Sequence, residues 1–444
     1  GRALRALGVL VAVAALLLAS ALGGGALGAQ PSAAAVPGSA AGSLESAPES
    51  APGDDGEALT VYLVTIGPGD LVFQRFGHNA LRIRDAARGT DVAYNWGMFD
   101  FAQPNFLGRF LTGDTKYWME GFDAPALMRH YAEVEQRSVW VQELALTPAQ
   151  RRTLRDQVEW NAREENKFYR YDYYRDNCST RVRDALDRVL GGALRRALAG
   201  RATGTSYRSH TRRLTDGDAP VYAGIQLALG RPADRPIDAW EESFLPVRLM
   251  TYVRDLQLPG ADGGRVPLVR SERAEYVAPR APEPERPPDH LPLALGVGLA
   301  LGGAAAGLGT LAVRHRRGAA PGLAVLGGVW LLLVGLLGTA LLLAGTVTRH
   351  VFMGRNLNLF AANPLALAAC ALVLLALGAR RPEARRRGAV RAARAVGLAA
   401  GLALLGLALT LSPMGQQSAE VFAVIVPAHL GLWWALRTLS RAPA

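Results

Sequence analysis

The stretch that decides the fold is YDYYRDNCSTRVRDAL, residues 171–186, and it contains one of only two cysteines in 444 residues. Either Asp176 or Asn177 can cap a helix that begins at Cys178, and Gly191-Gly192 supplies its stop. Apolar residues follow the cysteine at helical spacing: Val182, Ala185, Leu186, Val189 and Leu190. We therefore expect Cys178 in a first helical turn. There the helix dipole and free backbone N–H groups lower the pKa of a thiol and stabilise an oxyanion.

Five apolar runs occupy the C-terminal part of the chain, each long enough to cross a bilayer. They cover residues 291–313, 322–347, 363–379, 396–411 and 421–436. Arginine-rich connectors follow the first, third and fifth runs, whereas the other two connectors carry little charge. The positive-inside rule then places the C-terminus in the cytoplasm and the preceding domain outside. Because much of the net charge of +11 lies in these connectors, basicity does not indicate a nucleic-acid partner.

The whole chain divides into five predicted regions. Residues 1–29 are typical of a signal peptide or an N-terminal anchor, and residues 30–57 of a flexible linker rich in Ala, Ser, Pro and Gly. Residues 58–277 have the composition of a globular domain and are long enough to bury a core. Residues 278–290 form a proline-rich linker, and residues 291–441 form a five-helix transmembrane domain.

A thiol nucleophile requires a base. His78 begins the alternating segment HNALRIRD, which predicts a strand. It is the best candidate, since His130 has the pattern of a surface helix residue and His210 lies in a polar basic segment. The next strand-like segment, residues 90–101, offers Asn95 to orient the imidazole, with Asp85 as the alternative. An unpaired thiol in an exported domain favours a reactive group; the alternative is a buried structural cysteine. No paired histidines or clustered carboxylates occur at metal-ligand spacing.

This order of histidine on a strand, polar residue on the next strand and Asn-Cys at a helix start resembles a circularly permuted papain-like, NlpC-like thiol fold. Lecithin:retinol acyltransferase and its relatives share that order. The segments FGHNALRIRD, AYNWGMFDF, PNFLGRFLTGDTKYWM, YRYDYYRDNCSTRVRDALD and FLPVRLM resemble the periplasmic domain of the Lnb family over residues 60–255. TRHVFMGRNLNLFAANPL, residues 348–365, resembles that family's polar loop. The expected fold class is thus α+β, joined to an α-helical membrane bundle of about five spans.

The resemblance implies a membrane-bound, cysteine-dependent acyltransferase that needs no cofactor. An acyl chain would pass from a phospholipid to Cys178 as a thioester, and then to the N-terminal cysteine amine of a diacylated lipoprotein, with His78 as base. The protein would be multi-pass in the bacterial inner membrane, with its catalytic domain in the periplasm. The expected substrate contacts are Tyr174, Asn177, Lys116, His350 and Asn356.

Three other activities stay open at this point. The first is a cell-wall cysteine peptidase or amidase, the second a phospholipid deacylase, and the third a non-enzymatic membrane component in which Cys178 only packs. Two further segments also have two interpretations each. The aromatic residues of FLGRFLTGDTKYWMEGF either face lipid or form core, and the arginines 208, 212 and 213 form either a solvated basic face or a headgroup patch.

Overall fold

The computed structural model describes residues 56–260, 262–412 and 415–442. The predicted signal peptide or anchor, and all but the last two residues of the linker after it, lie outside the described residues. Contacts divide the described chain into two units. The sheet unit comprises residues 56–207 and 236–284, and the membrane unit comprises residues 208–235 and 285–442.

The described residues form eleven strands: β1 Leu59–Ile66, β2 His78–Asp85, β3 Thr90–Met98, β4 Lys116–Asp123, β5 Val139–Leu144, β6 Phe168–Arg170, β7 Ala202–Ser206, β8 Pro236–Asp238, β9 Gln257–Pro259, β10 Arg265–Pro267 and β11 Val269–Tyr276. The sheet unit contains the helices α1 Phe106–Thr112, α2 Ala124–Arg129, α3 Pro148–Ala162, α4 Cys178–Val189 and α5 Ala193–Leu198. Two helices further along the chain also belong to it, α8 Ala239–Glu242 and α9 Pro246–Asp255. Those of the membrane unit are α6 Tyr207–Thr215 (apart from its first residue), α7 Ala219–Ala228, α10 Leu291–Val313, α11 Ala319–Thr346, α12 Asn358–Ala361, α13 Leu365–Gly378, α14 Pro382–Thr410 and α15 Ala419–Arg441.

Seven strands build one antiparallel sheet in the order β11-β5-β1-β2-β3-β4-β6. The strands predicted from the His78 and Asn95 segments are confirmed as neighbours β2 and β3. Their register places Ala80 opposite Asn95, while Ile66 at the end of β1 lies opposite His78. This register brings His78 and Asn95 to the same end of the sheet.

The sheet packs on both faces because its strands alternate two sets of side chains. On one face Leu63, Leu81 and Met119 are fully buried in a cluster with Val182 and Leu249 from helices α4 and α9. Burying each such side chain stabilises the fold by about 2 kcal/mol. On the other face the side chains of β1, β2 and β5 pack against Met128 and Tyr131. This double-sided core fixes the elements that carry the candidate site.

Helix α4 begins at Cys178 as expected. Asn177, rather than Asp176, is its cap: the Asn177 side chain accepts from the backbone N–H of Thr180 at 2.9 Å. The Asp176 carboxylate instead pairs with Arg181. Gly191 and Gly192 follow the helix with φ of 60° and 82°, the left-handed conformation that glycine adopts without steric cost. The local sequence therefore sets both ends of this helix.

The membrane unit contains five helices whose length and composition suit a membrane span: Leu291–Val313, Ala319–Thr346, Asn358–Gly378, Pro382–Thr410 and Ala419–Arg441. They confirm the five predicted apolar runs. Helices α10 and α15 approach closely because small residues face each other. A Cβ on Gly431 would lie 2.1 Å from the backbone oxygen of Gly302, so no larger residue fits there. The fold is thus an α+β unit and a bundle of candidate membrane helices.

Residues 208–235 pack within the membrane unit although they interrupt the sequence of the sheet unit. Arg212 Nη2 donates to Glu420 Oε1 at 2.7 Å, and Asn356 Nδ2 donates to the backbone oxygen of Leu227 at 2.9 Å. Arg208 is fully buried and pairs with Asp234. The expectation of a solvated basic face is therefore wrong, because internal carboxylate and carbonyl acceptors take up these guanidinium groups.

Candidate active site

His78 and Asn95 meet at the end of the sheet. His78 Nε2 lies 3.0 Å from Asn95 Oδ1. Because Asn95 Nδ2 donates to the backbone oxygen of Ala93 at 2.9 Å, it is Oδ1 that faces the ring. Nε2 therefore carries the proton and donates, which leaves Nδ1 as a proton acceptor. Asp85 lies at the opposite end of β2, where its carboxylate accepts from two backbone N–H groups of the following turn. Of the two predicted partners, the structure brings Asn95 to the imidazole.

The imidazole of His78 is held in its neutral form. Burial lowers the pKa of His78 to about 4; the bond to Asn95 opposes that shift and the charge of Arg137 adds to it. Burial has this effect because it penalises the charged imidazolium. A neutral imidazole at physiological pH is able to accept a proton, as a general base must.

Cys178 lies beside the start of β2. Its sulfur is close to the backbone N–H of Asn79, the residue that follows His78. The next residue of the helix, Ser179, holds this contact, because its Oγ lies 2.9 Å from Asn79 Oδ1. On another side, a Cβ on Gly97 would lie only 3.7 Å from the Cβ of Cys178. The thiol is free and 8% exposed, so helix α4 and strands β2 and β3 together enclose it.

The pKa of the Cys178 thiol is raised, and the expected direction is therefore wrong. Burial is the largest cause. The backbone N–H groups of Asn79, Ser179 and Cys178 itself favour the thiolate, as does the charge of Arg137, but they do not outweigh the loss of water. Both members of the pair are thus neutral at rest. His78 directly precedes Asn79, whose backbone N–H contacts the Cys178 sulfur, so its neutral imidazole is the candidate base for the thiol proton.

The sequence did not predict two residues of this site. The ring of Tyr131 lies 6.3 Å from that of His78, and the guanidinium of Arg137 lies 5.3 Å from the Tyr131 ring. Arg137 is 3% exposed. Neither residue belongs to a local motif, since they reach the site through the pairing of β5 with β1. Only knowledge of that pairing would have identified them.

A chain of aromatic rings runs from beside the thiol to the surface. A Cβ on Gly97 would contact the Tyr171 ring at 3.5 Å, Tyr171 stacks on Tyr117 at 4.4 Å, and Tyr117 lies 5.0 Å from Phe99. We call the rings beyond that point the aromatic ridge: Phe73, Phe99, Phe101, Phe106 and Phe110. Phe101 is 46% and Phe110 38% exposed. Contiguous exposed apolar side chains of this kind mark interaction surfaces.

The three other predicted substrate contacts in the sheet unit have different surroundings. Tyr174 is buried among Tyr207 and Phe244. Asn177 caps helix α4, and its Nδ2 donates to the backbone oxygen of Phe244 at 3.0 Å. Lys116 is exposed at the start of β4, with its Nζ 3.8 Å from the centre of the Phe168 ring. Contact of these residues with a substrate stays a prediction.

His350 and Asn356 belong to the membrane unit. Asn356 is buried, and its amide connects three segments there: Nδ2 donates to the backbone oxygens of Leu227 and Ala228, and Oδ1 accepts from Gln416. His350 is half-buried and precedes a short 3-10 helix, Val351–Met353. Their roles toward a substrate also stay predictions.

His130 differs from its expected place on the surface. Its side chain is 12% exposed and its Nε2 lies 3.4 Å from Oε1 of Glu135, the residue that follows the short π-helical turn His130–Val134. Within the described ranges, no group of three or more His, Cys, Asp or Glu side chains is arranged to hold a metal ion.

The comparison with protein families agrees with this architecture. The family model of the Lnb N-terminal periplasmic domain matches residues 53–213, a range that includes His78, Asn95 and Cys178. No curated protein and no solved structure matches the chain. Five helices able to cross a membrane follow the matched range. Residues 53–213 are therefore similar to the Lnb N-terminal periplasmic domain, and the five helices after them support a multi-pass membrane protein with a periplasmic domain.

Proposed function

We propose that this protein transfers an acyl chain from a membrane phospholipid to an amine through a thioester at Cys178. The acceptor is the N-terminal cysteine of a diacylated lipoprotein. Cys178 is the nucleophile, His78 the base and Asn95 the residue that orients the imidazole. The observation that carries the proposal is the chain of aromatic rings that runs from beside Cys178 to the aromatic ridge, in a protein with five candidate membrane helices.

The ridge favours lipid over a polar polymer as the substrate. Exposed rings offer an acyl chain an apolar path from the surface of the sheet unit toward the thiol, and burying that chain is favourable in proportion to its area. A peptide or glycan strand would instead require hydrogen-bonding groups along its path. The cell-wall peptidase or amidase is therefore the less favoured alternative.

The first half-reaction forms the thioester. His78 Nδ1 takes the thiol proton as the sulfur attacks the ester carbonyl of the phospholipid. The tetrahedral intermediate carries an oxyanion, and the backbone N–H groups of Asn79, Cys178 and Ser179 lie beside the sulfur to bind it. When the C–O bond breaks, the lysophospholipid oxygen takes the proton from the imidazolium. Asn95 supports each transfer because its Oδ1 accepts from Nε2 and fixes the ring.

The second half-reaction consumes the thioester. The free α-amine attacks the thioester carbonyl and gives a proton to His78, which is neutral again after the first step. The C–S bond then breaks, an amide is formed, and the departing sulfur takes the proton back. A pair that starts and ends neutral suits this cycle, since burial disfavours a resting thiolate and a resting imidazolium alike.

Two finer assignments belong to the same proposal. We infer a circularly permuted papain-like class for the sheet unit, supported by the chain order of His78, Asn95 and Cys178 and by the cysteine at a helix start. We also place the protein in the bacterial inner membrane with the sheet unit in the periplasm. The arginine-rich connectors on the other side of the helices support that orientation.

The test uses the full chain in detergent with a phospholipid that carries a deuterium-labelled acyl chain. After incubation, the mass of the Cys178 peptide is measured before and after hydroxylamine, which cleaves thioesters. A diacylated lipopeptide is then added and its mass recorded. We expect labelled, hydroxylamine-sensitive Cys178 peptide and then labelled lipopeptide with the wild type. Cys178→Ala should give neither, whereas Cys370→Ala, which alters the other free thiol, should behave as the wild type.

Each rival activity gives a different result in this assay. Labelled fatty acid released at the same rate with and without lipopeptide would identify a phospholipid deacylase. If neither label transfer nor release occurs, the lipid substrate is wrong, and cleavage of peptidoglycan is measured next. A non-enzymatic role would require that Cys178→Ala fully replaces the wild type in cells. The cellular readout is the mass of a lipoprotein N-terminal peptide in a strain depleted of its own N-acyltransferase.

A further inference from the structure

Arg137 is a buried cation fixed at the same end of the sheet as His78. Its Nε donates to the backbone oxygen of Gly67 at 2.9 Å and its Nη1 donates to Glu135 Oε2 at 2.9 Å. Gly67 follows Ile66, which lies opposite His78 on one side and Val139 on the other. The Tyr131 ring packs against the guanidinium and lies near the His78 ring. Three contacts therefore hold this side chain next to the catalytic histidine.

One nitrogen of the Arg137 guanidinium has no hydrogen-bond partner among the described residues. This nitrogen, Nη2, is buried. Arg208, which is buried to a similar extent, uses Nε, Nη1 and Nη2 in hydrogen bonds. A guanidinium N–H that is buried without an acceptor is costly, and among the described residues no protein group accepts from Arg137 Nη2, which leaves this nitrogen able to bind an incoming acceptor.

The counter-charge of Arg137 is shared with other side chains. Glu135, its counter-charge, is also bound by Gln74 Nε2 at 3.0 Å and lies 3.4 Å from His130 Nε2. That carboxylate is therefore shared among three side chains. The positive charge of Arg137 reaches both reacting groups, since it favours the thiolate of Cys178 and disfavours the imidazolium of His78. An anion beside these groups would meet a cation already oriented for it.

We propose that Arg137 Nη2 binds a phosphate oxygen of the phospholipid donor and so places the adjacent ester at Cys178. This inference rests on the proposed function and names the group that recognises the donor. A phosphate fits better than the reaction oxyanion. The oxyanion stays on the carbon bonded to the sulfur, where the N–H groups of Asn79, Cys178 and Ser179 lie. Nη2 makes no hydrogen bond to that sulfur within the described structure.

The first test needs no acyl transfer at all. Cys178 is alkylated in the full chain with iodoacetate, which is anionic, and with iodoacetamide, which is neutral. Both reagents need the same thiolate, so the ratio of their rates reports the anion site and not the pKa of the thiol. We expect Arg137→Gln to lower the iodoacetate-to-iodoacetamide ratio at least fivefold. The exposed arginine of β2 provides the control, Arg84→Gln, which should leave the ratio unchanged.

A second variant keeps the proposal testable if Arg137→Gln fails to fold. Glu135→Gln removes the counter-charge and should raise the same ratio at least twofold, the opposite direction. A ratio that stays within 1.5-fold of the wild type in every folded variant would overturn the proposal. Thermal midpoints in detergent identify which variants are folded.

The donor is tested with two labelled substrates, a phosphatidylglycerol and a diacylglycerol that lacks the phosphate. Arg137→Gln should lose about 10- to 100-fold in kcat/KM with phosphatidylglycerol and less than threefold with diacylglycerol, mainly through KM. Equal losses on both donors would contradict phosphate recognition. If the wild type acylates Cys178 from neither donor, the proposed function fails. The alkylation ratio then still decides whether Arg137 forms an anion site.

Discussion

The side-chain oxygen of Asn95 accepts a hydrogen bond from the Nε2 of His78 across two neighbouring strands, at 3.0 Å. The amide cannot turn over without losing its second bond, from Nδ2 to the backbone oxygen of Ala93. Asn95 is 1% exposed, so water does not compete for either bond. The backbone of β3 thereby determines which nitrogen of the imidazole is free to accept a proton.

Asn95→Ala should weaken acyl transfer without removing it. The base is still present but its ring is no longer oriented, so we expect a loss of about 10- to 100-fold in the rate of Cys178 acylation. Asn95→Asp should act differently, because a carboxylate next to the ring stabilises the imidazolium and raises the pKa of His78. The pH profile of acylation separates the two variants. An acid limb that does not move to higher pH in Asn95→Asp would contradict the arrangement.

The activity of the wild type should persist into mild acid. With the pKa of His78 lowered to about 4, the imidazole stays mostly unprotonated down to about pH 5. We expect the acylation rate to change less than twofold between pH 7 and pH 5.5, and then to fall toward pH 4. Initial rates with a labelled phospholipid in a series of buffers measure this profile. A midpoint near 6.5 would show that the imidazole is not desolvated.

The same histidine should make folding sensitive to acid. The pKa of His78 falls from 6.5 in the unfolded chain to about 4 in the folded one, so between these values the unfolded state binds more protons. Stability therefore rises with pH across this window and is lost as pH falls through it, by up to about 3 kcal/mol. The thermal midpoint of the wild type should fall further between pH 7 and pH 4.5 than the thermal midpoint of His78→Gln. Equal falls in both proteins would exclude this linkage.

Gly97 and Gly89 form a matched pair for a test of the thiol's surroundings. Both have positive φ, 91° and 66°, but a Cβ would contact Tyr171 and Cys178 only at Gly97, since nothing lies within 4 Å at Gly89. Replacement by alanine should cost each variant about 1–2 kcal/mol of stability. Only Gly97→Ala should also lose acylation activity, at least fivefold, because its methyl group occupies space beside Cys178, the proposed nucleophile. Thermal midpoints and acylation rates are measured together, and equal activity losses would refute the distinction.

The aromatic ridge should matter for long acyl chains and not for short ones. Phe101→Ser with Phe110→Ser removes two of its exposed rings, and we expect at least tenfold slower acylation from a phospholipid with long chains. A short-chain, water-soluble phospholipid should react within twofold of the wild type, because it needs no apolar path. Trp160→Ser provides the control, since this residue is 56% exposed in α3 and has no ring contact with the ridge among the described residues. Equal effects on both donors would argue against a path for the acyl chain.

The parts of the site that sequence predicted are those determined locally. Alternation identified the strand of His78, and capping chemistry placed Cys178 in the first turn of α4. The predicted direction of the shift in the Cys178 pKa was wrong, because the burial that raises this pKa arises from the packing of distant segments. Arg137 reaches the site only through the pairing of β5 with β1, a contact that no local pattern encodes. Burial and long-range pairing account for what was missed.

The location of residues 208–235 has a consequence for how the protein can be divided. A fragment that ends at the proline-rich linker would retain Arg212, Tyr222 and the backbone oxygen of Leu227 but lose their acceptors and donors, Glu420 and Asn356. Helices α6 and α7 would then carry buried polar groups into solvent next to exposed apolar ones. One cut in the chain does not separate the two units. A soluble version of the sheet unit requires two cuts, with a short artificial loop joining residue 207 to residue 236.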